Sequence, residues 1–407
     1  MKVCVIGLGY IGLPTAAIFA QKGLEVLGVD TNPTIVDTIN QAKTHIIEPE
    51  LDKLVFESVK QGFLKASLKP NYADVFIICV PTPFKQNHQP NIDYIQQASK
   101  AIAKYLQKGN LVLLESTSPC GTTEKISQYL STIREDLKFP HNNKQPDIFV
   151  AYTPERVLPG SILKELVEND RIIGGITTQC TKKAIELYKI FVKGECIPTD
   201  AKTAEMTKLT ENAFRDVNIA FANELSLICE EAGIDVYTLI KLANHHPRVN
   251  ILKPSCGVGG HCIAVDPWFI ISDFPKQSKL IKTAREVNDY KIHFVTQKIT
   301  HRLLQKDYKK IAILGLSFKP DIDDLRESPA VKITKTIISD TQREIFIVEP
   351  HIKHLPQELS YPNVRLCTLQ EALDESQLII ILVAHKAFLN LNIPTQEILD
   401  FVNIREV

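Results

Sequence analysis

What this 407-residue chain lacks narrows its work before any motif is read. It has no net charge, with 47 basic residues set against 47 acidic ones, so nothing marks it as a binder of nucleic acid or of an anionic membrane. It has no long apolar run. Stretches such as Leu378 to Ala384 are far too short to cross a bilayer. No charged-then-apolar leader comes before the first strand, which begins at residue 3, so secretion is not expected. There is no C-x-x-C pair, and the nine cysteines are scattered and odd in number, which suits a reducing cytoplasm rather than a disulfide framework. Cys256, His261 and Cys262 find no fourth ligand at a workable spacing, so no metal centre is expected. Low-complexity segments and visible internal repeats are missing too. The length suffices for two or three domains around a large core.

What is present begins at the N-terminus. Val3-Cys4-Val5-Ile6 is a short apolar run that predicts a buried parallel strand. Gly7-Leu8-Gly9-Tyr10-Ile11-Gly12 comes next as a full G-x-G-x-x-G, then a helical segment, then Val26-Leu27-Gly28-Val29 ending in Asp30. Strand, glycines, helix, strand and acidic residue in that order predict a dinucleotide site. Gly7 permits the tight turn, Gly9 lets a pyrophosphate approach, and Gly12 allows close helix–strand packing, with helix N–H groups directed at the phosphate. Asp30 would accept from the adenosine ribose diol and repel a 2′-phosphate. No cation lies in the adjoining Thr31-Asn32-Pro33, so NAD is expected rather than NADP.

Further apolar strands recur at Val75–Val80, Leu111–Leu114 and Ile148–Ala151, separated by stretches of helical length. This alternation predicts an α/β, doubly wound parallel sheet over residues 1–199, with ligands beyond the carboxyl ends of its strands. Three polar loops occupy those ends, at Pro81–Pro83, Glu115–Pro119 and Tyr152–Arg156. From Ala201 to Ala232 the pattern turns helical, with apolar residues at Met206, Leu209, Ala213, Val217, Ala220, Leu225 and Ile228 and a stop at Gly233. Such a helix spans about 45 Å, which predicts a link between lobes and a subunit interface. A helical middle domain is therefore expected over 200–305. A second Rossmann-like domain is expected over 306–407, from strands at Ile311–Gly315, Ile345–Val348 and Leu378–Val383, though it lacks G-x-G-x-x-G.

The most informative stretch is Gly257-Val258-Gly259-Gly260-His261-Cys262-Ile263-Ala264-Val265-Asp266-Pro267. It sets a cysteine directly after a glycine-rich turn, with a carboxylate four residues on. Glycines admit a ligand close to the backbone, and exposed N–H groups can stabilise an oxyanion, which is what a nucleophilic thiol requires. On the long helix, Lys208, Asn212 and Arg215 share one face, which is either solvated or turned to a substrate. His246 and Arg248 precede the cysteine loop, where they either reach a nucleotide or sugar or lie on the surface. Tyr237-Thr238-Leu239-Ile240-Lys241 imitates the Tyr-x-x-x-Lys of short-chain dehydrogenases but sits in an amphipathic helix, and is read as coincidence.

Taken together the motifs resemble the UDP-glucose/GDP-mannose dehydrogenase family, through ESTSP (115–119), PERVLPG (154–160), AEMTKLTEN (204–212), HPRVNIL (246–252), GVGGHCIAVDPWF (257–269) and SFKPDIDDLRESP (317–329). The likeness covers essentially the whole chain and is nearest to the branch acting on UDP-N-acetyl-D-mannosamine. It implies a four-electron, NAD-dependent oxidation of a sugar C6 alcohol to a carboxylate. By the same resemblance Cys262 is the nucleophile, Lys208 and Asn212 steady the oxyanion, Asp266 positions water or takes a proton, and Glu155 serves hydrolysis. Thr82, Thr117 and Thr123 join Gly7, Gly9, Tyr10, Ile11, Gly12, Asp30 and Arg326 as implied cofactor contacts. Arg156, Val157, Lys208, Asn212, Arg215, His246, Arg248, Gly259, Phe318 and Lys319 are the implied contacts to the UDP-sugar, and the implied assembly is a homodimer.

Val265 replaces the lysine, and Pro159 the glutamate, common in glucose-acting relatives; both accord with the N-acetylhexosamine branch. Ser255-Cys256 replaces a Gly-Pro pair, which alters loop stiffness or adds a second thiol near the site. The alternatives to this reading are oxidation of UDP-N-acetylglucosamine, a two-electron hydroxyacid-type dehydrogenase, and a catalytically silent NAD-binding regulator.

Overall fold

The computed structural model describes residues 1–85, 88–158, 160–260, 262–340, 342–389 and 397–404; Pro159 and His261 lie outside that set. The chain divides into two compact units, Met1–Thr210 with Trp268–Asp273, and Glu211–Pro267 with Phe274–Val407.

The first unit runs β1 (Lys2–Ile6), α1 (Gly12–Gln21), β2 (Glu25–Val29), α2 (Pro33–Asn40), α3 (Leu51–Lys60), β3 (Leu64–Ser67), β4 (Val75–Ile78) and α4 (Asp93–Ala103). It continues through β5 (Leu111–Leu114), α5 (Thr122–Ile133), β6 (Phe149–Tyr152), α6 (Ile162–Glu168), β7 (Arg171–Gly175), α7 (Thr178–Tyr188) and β8 (Cys196–Asp200). Its eight strands lie in the order β3-β2-β1-β4-β5-β6-β7-β8. The reversal of winding between β1 and β4 opens a ligand crevice at the strand ends. Alternate residues of each central strand feed opposite faces. Val3, Val5, Val75, Ile77, Leu111 and Leu113 pack with α1, α3, α6 and α7. Cys4, Ile6, Phe76, Ile78, Val112 and Leu114 pack with α4 and α5. The expected all-parallel sheet holds as far as β6, but β7 pairs antiparallel to it. Residues 153–170 carry the PERVLPG loop and only a seven-residue helix, so the chain re-enters the sheet from the end where β6 leaves it.

α8 (Ala201–Ala232) forms over the span its apolar periodicity predicts, and the boundary between the units falls within it, after Thr210. Leu209, Ala213 and Ala220 are buried as expected of the stripe, whereas Ile228 is exposed. The second unit continues with α9 (Val236–Ala243) and α11 (Lys279–Gln305), while α10 (Asp266–Asp273) starts in it and passes to the first. Next come β9 (Lys310–Leu314), α12 (Pro329–Ser339), β10 (Glu344–Val348), β11 (Val364–Leu366), α13 (Leu369–Glu375), β12 (Leu378–Ile381) and β13 (Glu397–Asp400). The strands are parallel in the order β11-β10-β9-β12-β13, which repeats the winding of β3-β2-β1-β4-β5.

A buried polar network ties α8 to α11. Arg285 donates to Asp216 at 2.7 Å, Asn288 donates to the same carboxylate at 2.8 Å, and Asn223 donates to Asn288 at 2.9 Å. The Asn223 side-chain oxygen Oδ1 then accepts the Ser255 N–H at 2.8 Å, at the head of the cysteine loop.

Gly315 repeats Gly7 in conformation, with φ of 92° and 91°. Each N–H is donated to the last residue of the neighbouring strand, Gly7 to Val29 at 2.8 Å and Gly315 to Val348 at 2.9 Å. A Cβ on Gly315 would stand 2.4 Å from the Val383 Cβ, whereas one on Gly9 would meet nothing within 4 Å. Gly315→Ala is therefore expected to destabilise the second unit by about 2–4 kcal/mol, from left-handed strain plus overpacking. Scanning calorimetry should show that loss, and should show both unfolding transitions unmoved in Gly9→Ala.

Candidate active site

The turn after β1 is built as the glycines require. A Cβ on Gly12 would lie 1.8 Å from the Gly7 carbonyl oxygen, so helix and turn meet only because that atom is missing. The Leu8 N–H donates to Asp30 Oδ2 at 3.0 Å and the Asn32 N–H to Oδ1 at 2.9 Å. Each carboxylate oxygen keeps a lone pair that a ribose hydroxyl can use. α1 starts with no side-chain cap at Ile11, leaving its positive end to an anion. Open space over Gly9, a bare helix terminus and a half-exposed acid at the tip of β2 together fit a dinucleotide. Tyr10 is exposed and Ile11 half-buried beside that turn. Thr82 and Thr117 are half-buried in the loops after β4 and β5.

Thr123 is placed differently. It is fully buried, and its hydroxyl and N–H donate to Glu205 Oε1 at 2.6 and 2.7 Å, while the Gly121 N–H donates to Oε2 at 2.5 Å. Glu205 thus caps α5, and burial pushes its carboxyl up to about 7 against those three bonds. This acid lies inside the AEMTKLTEN stretch, but nothing in its spacing ties it to a helix 80 residues earlier.

Glu155 is buried and ion-paired with Arg171 at 2.8 Å. The same guanidinium reaches Glu115 at 3.3 Å and covers the Tyr188 ring, whose hydroxyl donates to Glu115. Burial pushes the Glu115 carboxyl up, opposed by Arg171. Arg156 and Val157 come next, half-buried, with Arg156 donating to the Asp170 carbonyl at 2.5 Å. Glu48 accepts the Gly160 and Ile162 N–H groups at 2.8 and 2.7 Å and so seats the PERVLPG loop. Arg171 and Glu48 are invisible to motif reading because their partners are distant in sequence.

In the second unit the described residues of the cysteine loop form turns at Gly260 and at 262–265. Gly257 and Gly260 hold φ of 137° and 77°, and the Cys262 carbonyl accepts the Val265 and Asp266 N–H groups at 3.1 and 2.9 Å. Cys262 is exposed. Asp266, buried, accepts from the Asn212 amide at 2.5 Å, so these two predicted residues are brought together across 54 positions. Lys208 lies one helical turn before Asn212 on α8, and Arg215 is exposed. His246 and Arg248 are exposed in the turn after α9. Phe318 is half-buried and Lys319 exposed in the loop after β9; Arg326 is exposed, its guanidinium on Asp324 at 2.6 Å.

Cys256 is not a second thiol at the site. It is buried in the core of the second unit, and burial pushes its thiol up to about 12. Tyr237 is half-buried and directed at the Phe401 carbonyl, while Lys241 is exposed, which agrees with coincidence for that motif. Asp321, His351 and His385 bring potential ligand atoms within 4.8 Å of one another. Both nitrogens of His385 are already engaged, by Glu349 and by the Asp321 N–H, so the cluster is not assigned a metal role.

Three family models match the chain: the NAD binding domain of the UDP-glucose/GDP-mannose dehydrogenase family over residues 1–192, its central domain over 202–290 and its UDP binding domain over 312–405. The chain is 62% identical over 391 residues to the UDP-N-acetyl-D-mannosamine dehydrogenase of Campylobacter jejuni, covering 95% of this chain and 96% of that protein. It is 56% identical to the NDP-N-acetyl-D-galactosaminuronic acid dehydrogenase of Ralstonia solanacearum, covering 96% and 92%. Among solved structures it is similar to the UDP-D-ManNAc dehydrogenase of Pyrococcus horikoshii, with a TM-score of 0.86, 38% identity and coverage of 99% and 96%.

Thr123→Ala is expected to weaken the protein by about 1–3 kcal/mol, because Glu205 loses a buried donor. The KM for NAD⁺ should stay within about twofold, since the hydroxyl is already engaged. Thermal melts and steady-state kinetics on the same preparation check both.

Proposed function

The chain belongs to the UDP-glucose/GDP-mannose dehydrogenase family, and we propose that it oxidises the C6 alcohol of UDP-N-acetyl-D-mannosamine to the uronate. That it is an NAD-dependent nucleotide-sugar dehydrogenase follows from the family and its relatives; the sugar and the residue roles are our reading. The observation that carries it is an exposed thiol in a glycine turn, four residues ahead of a buried carboxylate held by Asn212. The identity to the Campylobacter jejuni enzyme, with Ile263-Ala264-Val265 and Trp268 after the cysteine, supports the mannosamine epimer.

NAD⁺, when bound, supplies the hydride acceptor for each of two steps. Cys262 adds through its sulfur to the C6 aldehyde left by the first step, forming the C–S bond of a thiohemiacetal. Loss of the second hydride converts this adduct to a thioester on the same sulfur. Water then adds at the carbonyl, the C–S bond breaks, and Cys262 recovers its thiol. The net reaction takes the alcohol and one water to the carboxylate, two NADH and three protons. A thiol suits the work because it holds the aldehyde as a tetrahedral adduct that can still give up hydride. Asp266, held in place by Asn212, orients water and takes its proton. Lys208, one turn from Asn212, brings a cation toward the developing oxyanion. Glu155 contributes as a fixed carboxylate, its partner Arg171 preventing rotation away. Arg156, Val157, Arg215, His246, Arg248, Gly259, Phe318 and Lys319 would hold the nucleotide sugar, and Tyr10, Thr82, Thr117 and Arg326 the dinucleotide.

The working assembly on this reading is a homodimer through α8. Phe214, Phe221 and Ile228 stand seven residues apart, hence on one face, and are 68%, 51% and 57% exposed. Apolar side chains repeated along one helix face suit a matching copy better than water. The thiols suit a reducing compartment, and we place the enzyme in the cytoplasm. No described helix is long and apolar enough to cross a membrane.

Product analysis on UDP-N-acetylmannosamine should give two NADH per acid, and Cys262→Ser should lower acid formation by about 10³-fold or more. A ratio of one NADH with free aldehyde or ketone would support a two-electron enzyme instead. Preference for the glucosamine or galactosamine epimer in the same assay would move the substrate, and silence across the whole panel would favour a regulator. For the assembly, Phe214→Glu with Phe221→Glu should halve the mass seen by light scattering; an unchanged mass would place the interface elsewhere.

A further inference from the structure

Two glycines shortly before the cysteine, Gly259 and Gly260, rest on a side chain from another part of the second unit. A Cβ on Gly259 would lie 2.7 Å from the Phe318 Cβ, from the Glu327 carbonyl oxygen and from Pro329 Cδ. A Cβ on Gly260 would lie 2.9 Å from the Phe318 ring. The Gly260 N–H donates to the Arg326 carbonyl at 3.0 Å, which closes the seat. Cys262 stands two residues further on in the chain.

Phe318 is in turn held by a buried carboxylate and a buried imidazole. Glu349, at the tip of β10, accepts the Leu316 and Ser317 N–H groups on Oε2 at 2.7 and 3.0 Å, and Oε2 lies 3.0 Å from His385 Nε2. His385 Nδ1 accepts the Asp321 N–H at 2.9 Å. A backbone N–H can only donate, so the ring proton belongs on Nε2 and is directed at Glu349. Burial pushes the Glu349 carboxyl up, but the bonds from His385 and the backbone outweigh it and hold the group below its usual range. The Ser317 hydroxyl donates to the Lys319 carbonyl at 2.7 Å and fixes the turn between. Asp321 takes a left-handed φ of 60°, steadied by His385 on its N–H and by the Lys386 N–H donating to its carboxylate at 2.9 Å. His385 therefore grips the loop of residues 316–321 at both ends, at 316–317 through Glu349 and at 321 directly.

We propose that His385 is a positioning residue for the thiol chemistry: with Glu349 it fixes the loop that carries Phe318, and Phe318 fixes the glycine turn that presents Cys262. This rests on the reading of Cys262 as the nucleophile. His385 is fully buried, so its influence on the thiol runs through Phe318. A charged acid and an imidazole buried side by side are a costly way to hold a loop that serves packing alone. They are a reasonable way to hold one that must keep a sulfur within a fraction of an ångström of a reacting carbon, where a displacement of about 1 Å can cost about 100-fold in rate.

Three substitutions separate the two grips. His385→Gln can keep a donor to Glu349 and loses the acceptor for Asp321; His385→Asn does the reverse; His385→Ala loses both. The full-length protein is assayed for kcat, for the KM of each substrate, and for the rate at which iodoacetamide alkylates Cys262, mapped by mass spectrometry with Cys196 of the first unit as internal reference. Expected are a fall in kcat of about 10- to 100-fold in His385→Ala with partial recovery in the Gln and Asn variants, a KM for NAD⁺ within about twofold, and a changed Cys262 alkylation rate against an unchanged Cys196. If His385→Ala fails to fold, the Gln and Asn variants carry the test alone. Folded variants whose kcat and Cys262 alkylation match the parent protein would overturn the proposal. The alkylation readout needs no turnover, so a parent protein that oxidises no nucleotide sugar would sink the functional reading while leaving the link from His385 to Cys262 separately tested.

Discussion

In both units the chain leaves the first strand of the sheet through a glycine whose N–H goes to the parallel neighbouring strand. The next N–H goes to a carboxylate at that strand's tip, Leu8 to Asp30 in one case and Leu316 to Glu349 in the other. This pair of bonds sets where the turn points, and everything functional is hung from the turns. Beyond the shared bonds the two units diverge. Asp30 is half-exposed beside a bare helix terminus, and its spare lone pairs face outward to a ligand. Glu349 is buried, and its capacity is taken up by Ser317 and His385. One turn is made for binding a dinucleotide and the other for holding a loop still, from the same backbone device.

The glycines of the cysteine loop change meaning in the same light. Residue by residue, a Gly-x-Gly-Gly before a thiol suggests room for a substrate and N–H groups for an oxyanion. The structure adds a second cause: Gly259 and Gly260 press against Phe318, Glu327 and Pro329 too closely for any Cβ. The two causes are compatible, since a turn that is rigid because it is close-packed is also preorganised. The sequence motif therefore spans more than the loop, for the SFKPDIDDLRESP segment is its other half.

Central strands were legible because they are buried on both faces and written in aliphatic runs: VFII, LVLL and LIII. The edge and near-edge strands were not. LKAS, RIIGG, CIPTD, VRL and EILD are short, polar or broken by glycine and proline, and only pairing with a neighbour makes them strands. The repeat of the winding between the two sheets was hidden for the same reason, as the second turn keeps one glycine, replaces Asp by Glu and has no G-x-G-x-x-G. Candidate site residues were easiest to name where one contiguous motif carried them, as with Cys262 and Asp266. The bonds from Thr123 to Glu205 could not be foreseen because the two are remote in sequence, and the roles of Arg171 and His385 likewise lie in remote carboxylates.

Those remote ion pairs are also where the chain accepts energetic risk. Arg171 serves two buried acids, nearer to Glu155 at 2.8 Å than to Glu115 at 3.3 Å. One cation cannot fully compensate two carboxylates in a low dielectric, and burial accordingly pushes Glu115 toward its protonated form, with Tyr188 and Cys79 bonded to it. The charge of Arg171 then falls mainly to Glu155, the acid at the head of the PERVLPG loop. A similar division holds between α8 and α11, where Asp216 is pushed up to about 6 by burial although Arg285 sits beside it. An apolar pair would fill such places at less cost in desolvation. Ionic pairs impose direction as well as contact, and the residues they direct are the loop of Glu155, the helix of Asn212 and the seat of Cys262.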